Sequence, residues 1–208
     1  MSATEYLSCA DTAKLLRQAL KESFSGIKFA VRSKTYSGGA SITIEWTDGP
    51  NTAQVKSVAD AFEGSYFDGG IDYKGAKYHK LDGVEVHFGA NFIFESRDYS
   101  DSMVARAIDA VVRQYGGCEM KTVEDYRRGR CWAGLWPQSG GCDMERALNQ
   151  HLAKMSDRLA VGASLTLARI AFAGDDGYGA CTVGRNFEGG DNAAKGREFL
   201  LAARRTDG

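Results

Sequence analysis

Proline is scarce in this sequence, at 2 of 208 residues. That argues against Pro-rich spacers and rigid linkers. Excess charge of either sign is also missing: 26 basic residues stand against 27 acidic ones, a net charge of -1. This is not the balance of an acidic DNA mimic, nor of a basic nucleic-acid coat. Histidine is limited to His79, His87 and His151, and no H-E-x-x-H occurs. The five cysteines, Cys9, Cys118, Cys131, Cys142 and Cys181, form no C-x-x-C pair. Cys118, Cys131 and Cys142 are too far apart for the usual zinc-ligand pairs. No metal and no cofactor is therefore expected. There is no G-x-x-x-x-G-K-[ST] phosphate loop and no G-x-S-x-G nucleophile elbow. No apolar run reaches the length of a membrane span, and no basic-then-apolar leader opens the chain. The expected compartment is the cytoplasm, with the cysteines as free thiols.

What is present suits a folded domain. Hydrophobic residues make up 43% and charged residues 25%, and the 25 glycines imply many tight turns. The chain is long enough to bury a core without staples.

Periodicity predicts a helix from Asp11 to Phe24, with Leu15, Leu16, Ala19, Leu20 and Phe24 on one stripe and Asp11 as its cap. Ile27 to Ser33 alternates as a strand does, and so do Ile42, Ile44 and Trp46 with their neighbours. Together they predict a hairpin. A second helix carries Val55, Val58, Ala59 and Phe62 and stops at Gly64. Residues 67–74, F-D-G-G-I-D-Y-K, read as a loop, followed by strands at Val84 to Phe88 and Asn91 to Ser96. A third helix runs from Asp101 to Tyr115. Beyond it, 118–141 reads as irregular. A fourth helix starts near Asp143, 164–173 is ambiguous between strand and helix, and a last helix covers Asp191 to Arg205. The expected class is α+β: a small antiparallel sheet with helices packed on it, and a mixed, mainly helical C-terminal half. Residues 1–117 and 118–208 are the expected subdomains.

Two stretches carry candidate binding chemistry. The first is R-S-K-T-Y-S-G-G-A-S, residues 32–41. Consecutive amides at Gly38-Gly39 can form an anion nest, with Lys34, Thr35, Tyr36 and Ser37 adding donors. The same glycines equally serve an ordinary hairpin turn. The second is Arg127, Arg128 and Arg130 with Trp132 and Trp136. Arginines beside aromatics suit a protein interface or stacked bases. They also simply pair with carboxylates such as Glu124 and Asp125. His151 reads as a core histidine. Asp175-Asp176-Gly177 reads as a cation site or a solvated turn, and Asp48, Glu63, Asp68 and Asp72 as acceptors for a basic partner or as solvated turns. Cys181 has no neighbour in sequence to lower its pKa. No catalytic residue is assigned.

The run K-F-A-V-R-S-K-T-Y-S-G-G-A-S-I-T-I-E-W-T-D-G-P, Lys28 to Pro50, resembles large polyvalent protein-associated domain type 29. F-D-G-G-I-D-Y at Phe67 to Tyr73 and F-I-F-E-S-R at Phe92 to Arg97 fit the same pattern, and the resemblance spans about residues 7–115. Such domains occur in phages and conjugative elements, so the resemblance implies a mobile-element accessory protein. It brings no known reaction and no catalytic residues.

The expected function is a non-enzymatic inhibitor that binds a host defence complex, such as a CRISPR effector or a restriction enzyme. Its contact residues are then Arg32, Lys34, Thr35, Tyr36, Arg127, Arg128, Arg130, Trp132 and Trp136. A nucleic-acid-binding module of a transfer system is the alternative, and an enzyme acting on a nucleotide or phosphate is the third reading. No membrane partner is expected.

Overall fold

A computed structural model describes residues 4–115, 121–131, 143–157 and 161–178. Among these the chain falls into two compact units. One is drawn from 1–45, 53–96 and 160–208, the other from 46–52 and 97–159. The expected boundary at 117 lies outside the described residues.

In the first unit, β1 (Glu5–Leu7) leads into α1 (Cys9–Ser23). Ser8, not Asp11, caps α1: its hydroxyl accepts from the Asp11 amide at 3.1 Å and donates to the Asp11 carboxylate at 2.6 Å. The helix therefore starts earlier than its apolar stripe suggests. Ala13, Leu16, Ala19 and Leu20 bury its inner face. The predicted hairpin is present as β2 (Ala30–Tyr36) and β3 (Gly39–Thr47), paired antiparallel from Ala30 opposite Glu45 to Tyr36 opposite Gly39. Ile42, Ile44 and Trp46 are all buried, as their alternation requires. The second helix is also as expected: α2 (Thr52–Ala59) and a 3-10 turn (Asp60–Phe62) bury Val55, Val58, Ala59 and Phe62.

The expected loop at 67–74 is instead the joint between two strands, β4 (Ser65–Asp68) and β5 (Tyr73–Leu81). Asp72 turns the corner at φ 51°. Next come β6 (Val84–Phe88) and β7 (Phe92–Asp98). The strands form two sheets. One has the order β1-β6-β5-β4 and is completed by β8 (Ile170–Asp175) on β5. The other has the order β2-β3-β7. Only the β1–β6 pairing in the first sheet is parallel. The ambiguous stretch 164–173 divides into a helical turn, α6 (Leu165–Ala168), and β8.

In the second unit, α3 spans Asp101–Tyr115, the predicted bounds. Its Met103, Val104, Ala107, Ile108 and Val111 pack with Met144, Ala147, Leu148 and Leu152 of α5 (Met144–Lys154). Asp143 caps α5 through the Arg146 amide, at 2.7 Å. Within the segment expected to be irregular lies a short helix, α4 (Val123–Arg127), fixed by a reciprocal Thr122–Asp125 capping box. The expected last helix, Asp191 to Arg205, falls outside the described residues. Helices and mixed sheets together make the fold α+β.

Candidate functional site

The stretch 32–41 is almost entirely strand. Only Ser37 and Gly38 lie between β2 and β3, and Gly38 takes φ 88°. Gly39 already belongs to β3, so the two glycines do not form an anion nest. An added Cβ on Gly39 would collide with the side-chain Nδ2 of Asn91. Register divides the four candidates. Arg32, Lys34 and Tyr36 stand opposite Thr43, Ser41 and Gly39, on one face. Thr35 is opposite Ala40, on the face that buries Val31, Ile42 and Ile44. The outer face is open: Arg32, Lys34 and Tyr36 are all exposed, and Tyr36 keeps 44% of its surface. Arg32 bonds diagonally to Glu45 at 2.7 Å.

The second candidate belongs to the other unit. Arg127 donates to the Asp101 carboxylate at 2.8 Å and to the Tyr99 carbonyl at 2.5 Å. Arg128 pairs with Glu124, and Arg130 with Asp125 at 3.0 Å. All three guanidinium groups thus have local acidic partners, and about half of each side chain remains exposed. Trp132 and Trp136 lie outside the described residues.

Several groups that look like ligands in sequence are spent inside the fold. Asp176 is not in a solvated turn. Its carboxylate accepts from Tyr66 at 2.6 Å, Tyr73 at 2.9 Å and the Ala76 amide at 2.8 Å. Burial pushes this carboxyl up, and the converging donors outweigh it and hold it below its usual range. Glu63 accepts from Lys77 at 2.8 Å and from the Ile93 amide at 3.1 Å. Asp48 accepts from the Ser100 amide at 2.8 Å, and Asp68 from the Gly70 amide at 2.9 Å. Asp175 and Asp176 receive the amides of Gly177 and Tyr178.

Three residues of consequence have roles that the sequence reading does not assign. Glu22, at the end of α1, accepts from Ser164 Oγ at 2.6 Å and the Thr166 amide at 2.9 Å. These bonds hold its pKa down at about 2. Arg97 donates to the backbone carbonyls of Asp48, Gly49, Leu152 and Met155 and to the Met103 sulfur in the second unit, and its guanidinium lies over the Tyr99 ring at 5.1 Å. His79, not His151, is the core histidine, at 2% exposure. Among the described residues neither ring nitrogen has a hydrogen-bond partner, and Phe88 and Phe172 lie 5.0 and 5.6 Å from its ring. Burial and the nearby Lys77 and His87 push its pKa down to about 4.

An aromatic and cationic strip also escaped the sequence reading. Lys74 sits opposite Phe67 across the β4–β5 pair and lies over the Phe92 ring at 5.9 Å, with Phe94 beside Phe92 at 6.5 Å. Phe67 and Phe94 expose 57% and 55% of their surfaces. Alternating strand positions leave such rings on the solvent side, which the loop reading of 67–74 concealed.

Cys9 and Cys131 are buried free thiols. Among the described residues no three His, Cys, Asp or Glu side chains gather as metal ligands, and no helix is long and apolar enough to cross a membrane. Comparisons with curated proteins and with solved structures give no match. A family model does match, and it takes in the whole hairpin, β4 to β7 and the Phe67–Phe94 strip. Residues 7–100 match the model of large polyvalent protein associated domain 29, and that match implies a protein associated with phages and mobile genetic elements.

Proposed function

We propose that the protein serves its mobile element by binding a host defence complex in the cytoplasm and blocking it, as an anti-CRISPR or anti-restriction inhibitor does. The observation that carries this reading is the outer face of the β2–β3 hairpin. Arg32, Lys34 and Tyr36 stand there side by side within the domain-29 segment. Arginine and tyrosine are the residue types that anchor protein interfaces. Arg127, Arg128 and Arg130 add a second contact surface, because exposed ion pairs are weak and exchange readily for a partner's carboxylates. The test is inhibition of purified CRISPR effectors and restriction enzymes, paired with binding assays on the same complexes. Arg32→Ala/Tyr36→Ala and Arg127→Ala/Arg128→Ala are expected to weaken both readouts while the melting temperature holds. Wild-type potency in both double variants would reject these surfaces.

A second reading has its own observation. Phe67, Lys74, Phe92 and Phe94 make a platform of the kind that stacks single-stranded bases. On that reading the protein is a nucleic-acid-binding module of a transfer system. Mobility shifts on single-stranded DNA at two salt levels separate the two, since phosphate-led binding falls steeply with salt.

A further inference from the structure

Among the described residues the β2–β3 hairpin has one unpaired side. Within that set β2 is bonded only to β3 and ends its sheet. The closing pair Tyr36–Gly39 fixes which backbone groups face outward. Counting back from it, Lys34 and Arg32 bond to β3, while Thr35, Ser33 and Val31 direct their N–H and C=O groups away from it. The outermost of these is already taken, since Arg17 Nη2 donates to the Val31 carbonyl at 2.9 Å. Ser33 and Thr35 are exposed on the same edge. An exposed strand edge is a template for another strand.

The side chains along the edge decide what kind of strand fits. A second copy of β2 is a poor occupant. Antiparallel self-pairing centred on Ser33 sets Arg32 against Lys34, and the neighbouring register sets Lys34 against itself. An incoming strand with carboxylates at alternate positions meets Arg32 and Lys34 on their open face instead. Arg32 is available to it because its pair with Glu45 is solvent-exposed, at 70% and 41% of the two side chains.

We propose that the free edge of β2 receives an extended acidic strand of a protein partner, aligned on Ser33 and Thr35 and read by Arg32 and Lys34. This rests on the reading of the hairpin as a protein contact and names its mode and chemistry. The affinity comes from the main-chain ladder, and the selectivity from charge on one face.

The probe is a synthetic decapeptide alternating glutamate and threonine, titrated into the full chain. A lysine–threonine decapeptide is the control, and backbone amide shifts are the readout. Saturable binding of the acidic peptide is expected, with shifts at Ser33 and Thr35. Ser33→Pro removes one outward N–H that β3 does not use, and is expected to weaken binding about tenfold. Arg32→Glu/Lys34→Glu is expected to reverse the preference between the two peptides, and it stands in if the proline variant misfolds. Failure of the acidic peptide to bind, equal binding of both peptides, or an unchanged preference in the double variant would overturn the proposal. The inhibition assay separates this from the broader reading. Full inhibition by Ser33→Pro leaves the defence role standing and removes strand addition. Absence of inhibition by the wild type, with peptide binding intact, does the opposite.

Discussion

Arg97 Nε donates to the Asp48 carbonyl at 3.0 Å, and Asp48 in turn holds the strand that carries Arg97. The Asp48 amide donates to the Asp98 carbonyl at 2.9 Å, and its carboxylate accepts from the Ser100 amide. Asp48 makes these contacts from φ 56°, a conformation costly for most side chains. The remaining guanidinium donors reach the Gly49 carbonyl at 3.1 Å and the Met155 carbonyl at 2.8 Å. The arginine of the F-I-F-E-S-R motif thus ties separate loops of the second unit together. Among the described residues no carboxylate accepts from it, and burial pushes its pKa down.

Arg97→Ala is expected to cost on the order of 3 kcal/mol, because several carbonyls lose their donor at once. Arg97→Lys should recover only part of this, since a single ammonium cannot reproduce the planar fork. Urea denaturation of the two variants measures both.

The Glu22 contact predicts an acid-dependent loss of stability. Its pKa is about 2 in the fold against 4.5 for the free group. The unfolded chain therefore takes up this proton first as pH falls. The contribution is complete above about pH 5 and disappears as pH drops towards 2. Melting temperatures of the wild type and Glu22→Gln should differ above pH 5 and converge near pH 2.

His79 works in the same direction in a different window. Its folded pKa of about 4 lies below the free value of 6.5. Between those values the unfolded chain binds the extra proton, so stability falls as pH drops from 6.5 to 4. His79→Phe should flatten the stability profile across that window, by up to on the order of 3 kcal/mol at its acid end. Denaturant midpoints at pH 7 and pH 4.5 test it.

Gly64 lies where chain meets chain: its amide donates to the Ala90 carbonyl at 2.8 Å, and its own carbonyl accepts from the Lys77 amide at 3.0 Å. A Cβ there would overlap the Phe88 carbonyl. Gly64→Ala is expected to cost about 1–3 kcal/mol, read as a lowered melting temperature.

Local signals in the sequence located most of the elements. The α3 stripe and its flanks set both ends of that helix, and the alternation of Ile42, Ile44 and Trp46 set β3 and its buried face. Glycine misled in the middle. Gly75 is buried in β5 because the Tyr66 ring lies over it, a contact between strands that no local pattern announces. The capping box at Thr122 and Asp125 is a local signal too, masked by the cluster of arginines that follows it. At the candidate sites, the pairing of Arg128 and Arg130 with Glu124 and Asp125 was legible because those partners are sequence neighbours. The bonds to Asp176 and Glu22 were not, because their donors come from remote parts of the chain. The split of Thr35 from Arg32, Lys34 and Tyr36 followed only once the register was known.

β8 completes β5 from outside the domain-29 segment: Leu81 pairs with Ile170, and Lys77 with Asp175. During synthesis the ribosome delivers β5 long before its last neighbour. Until residues 170–175 emerge, the nascent chain carries an open flank on its sheet, the kind of surface chaperones shield and aggregates exploit. A fragment cut to the family segment would keep that flank for good.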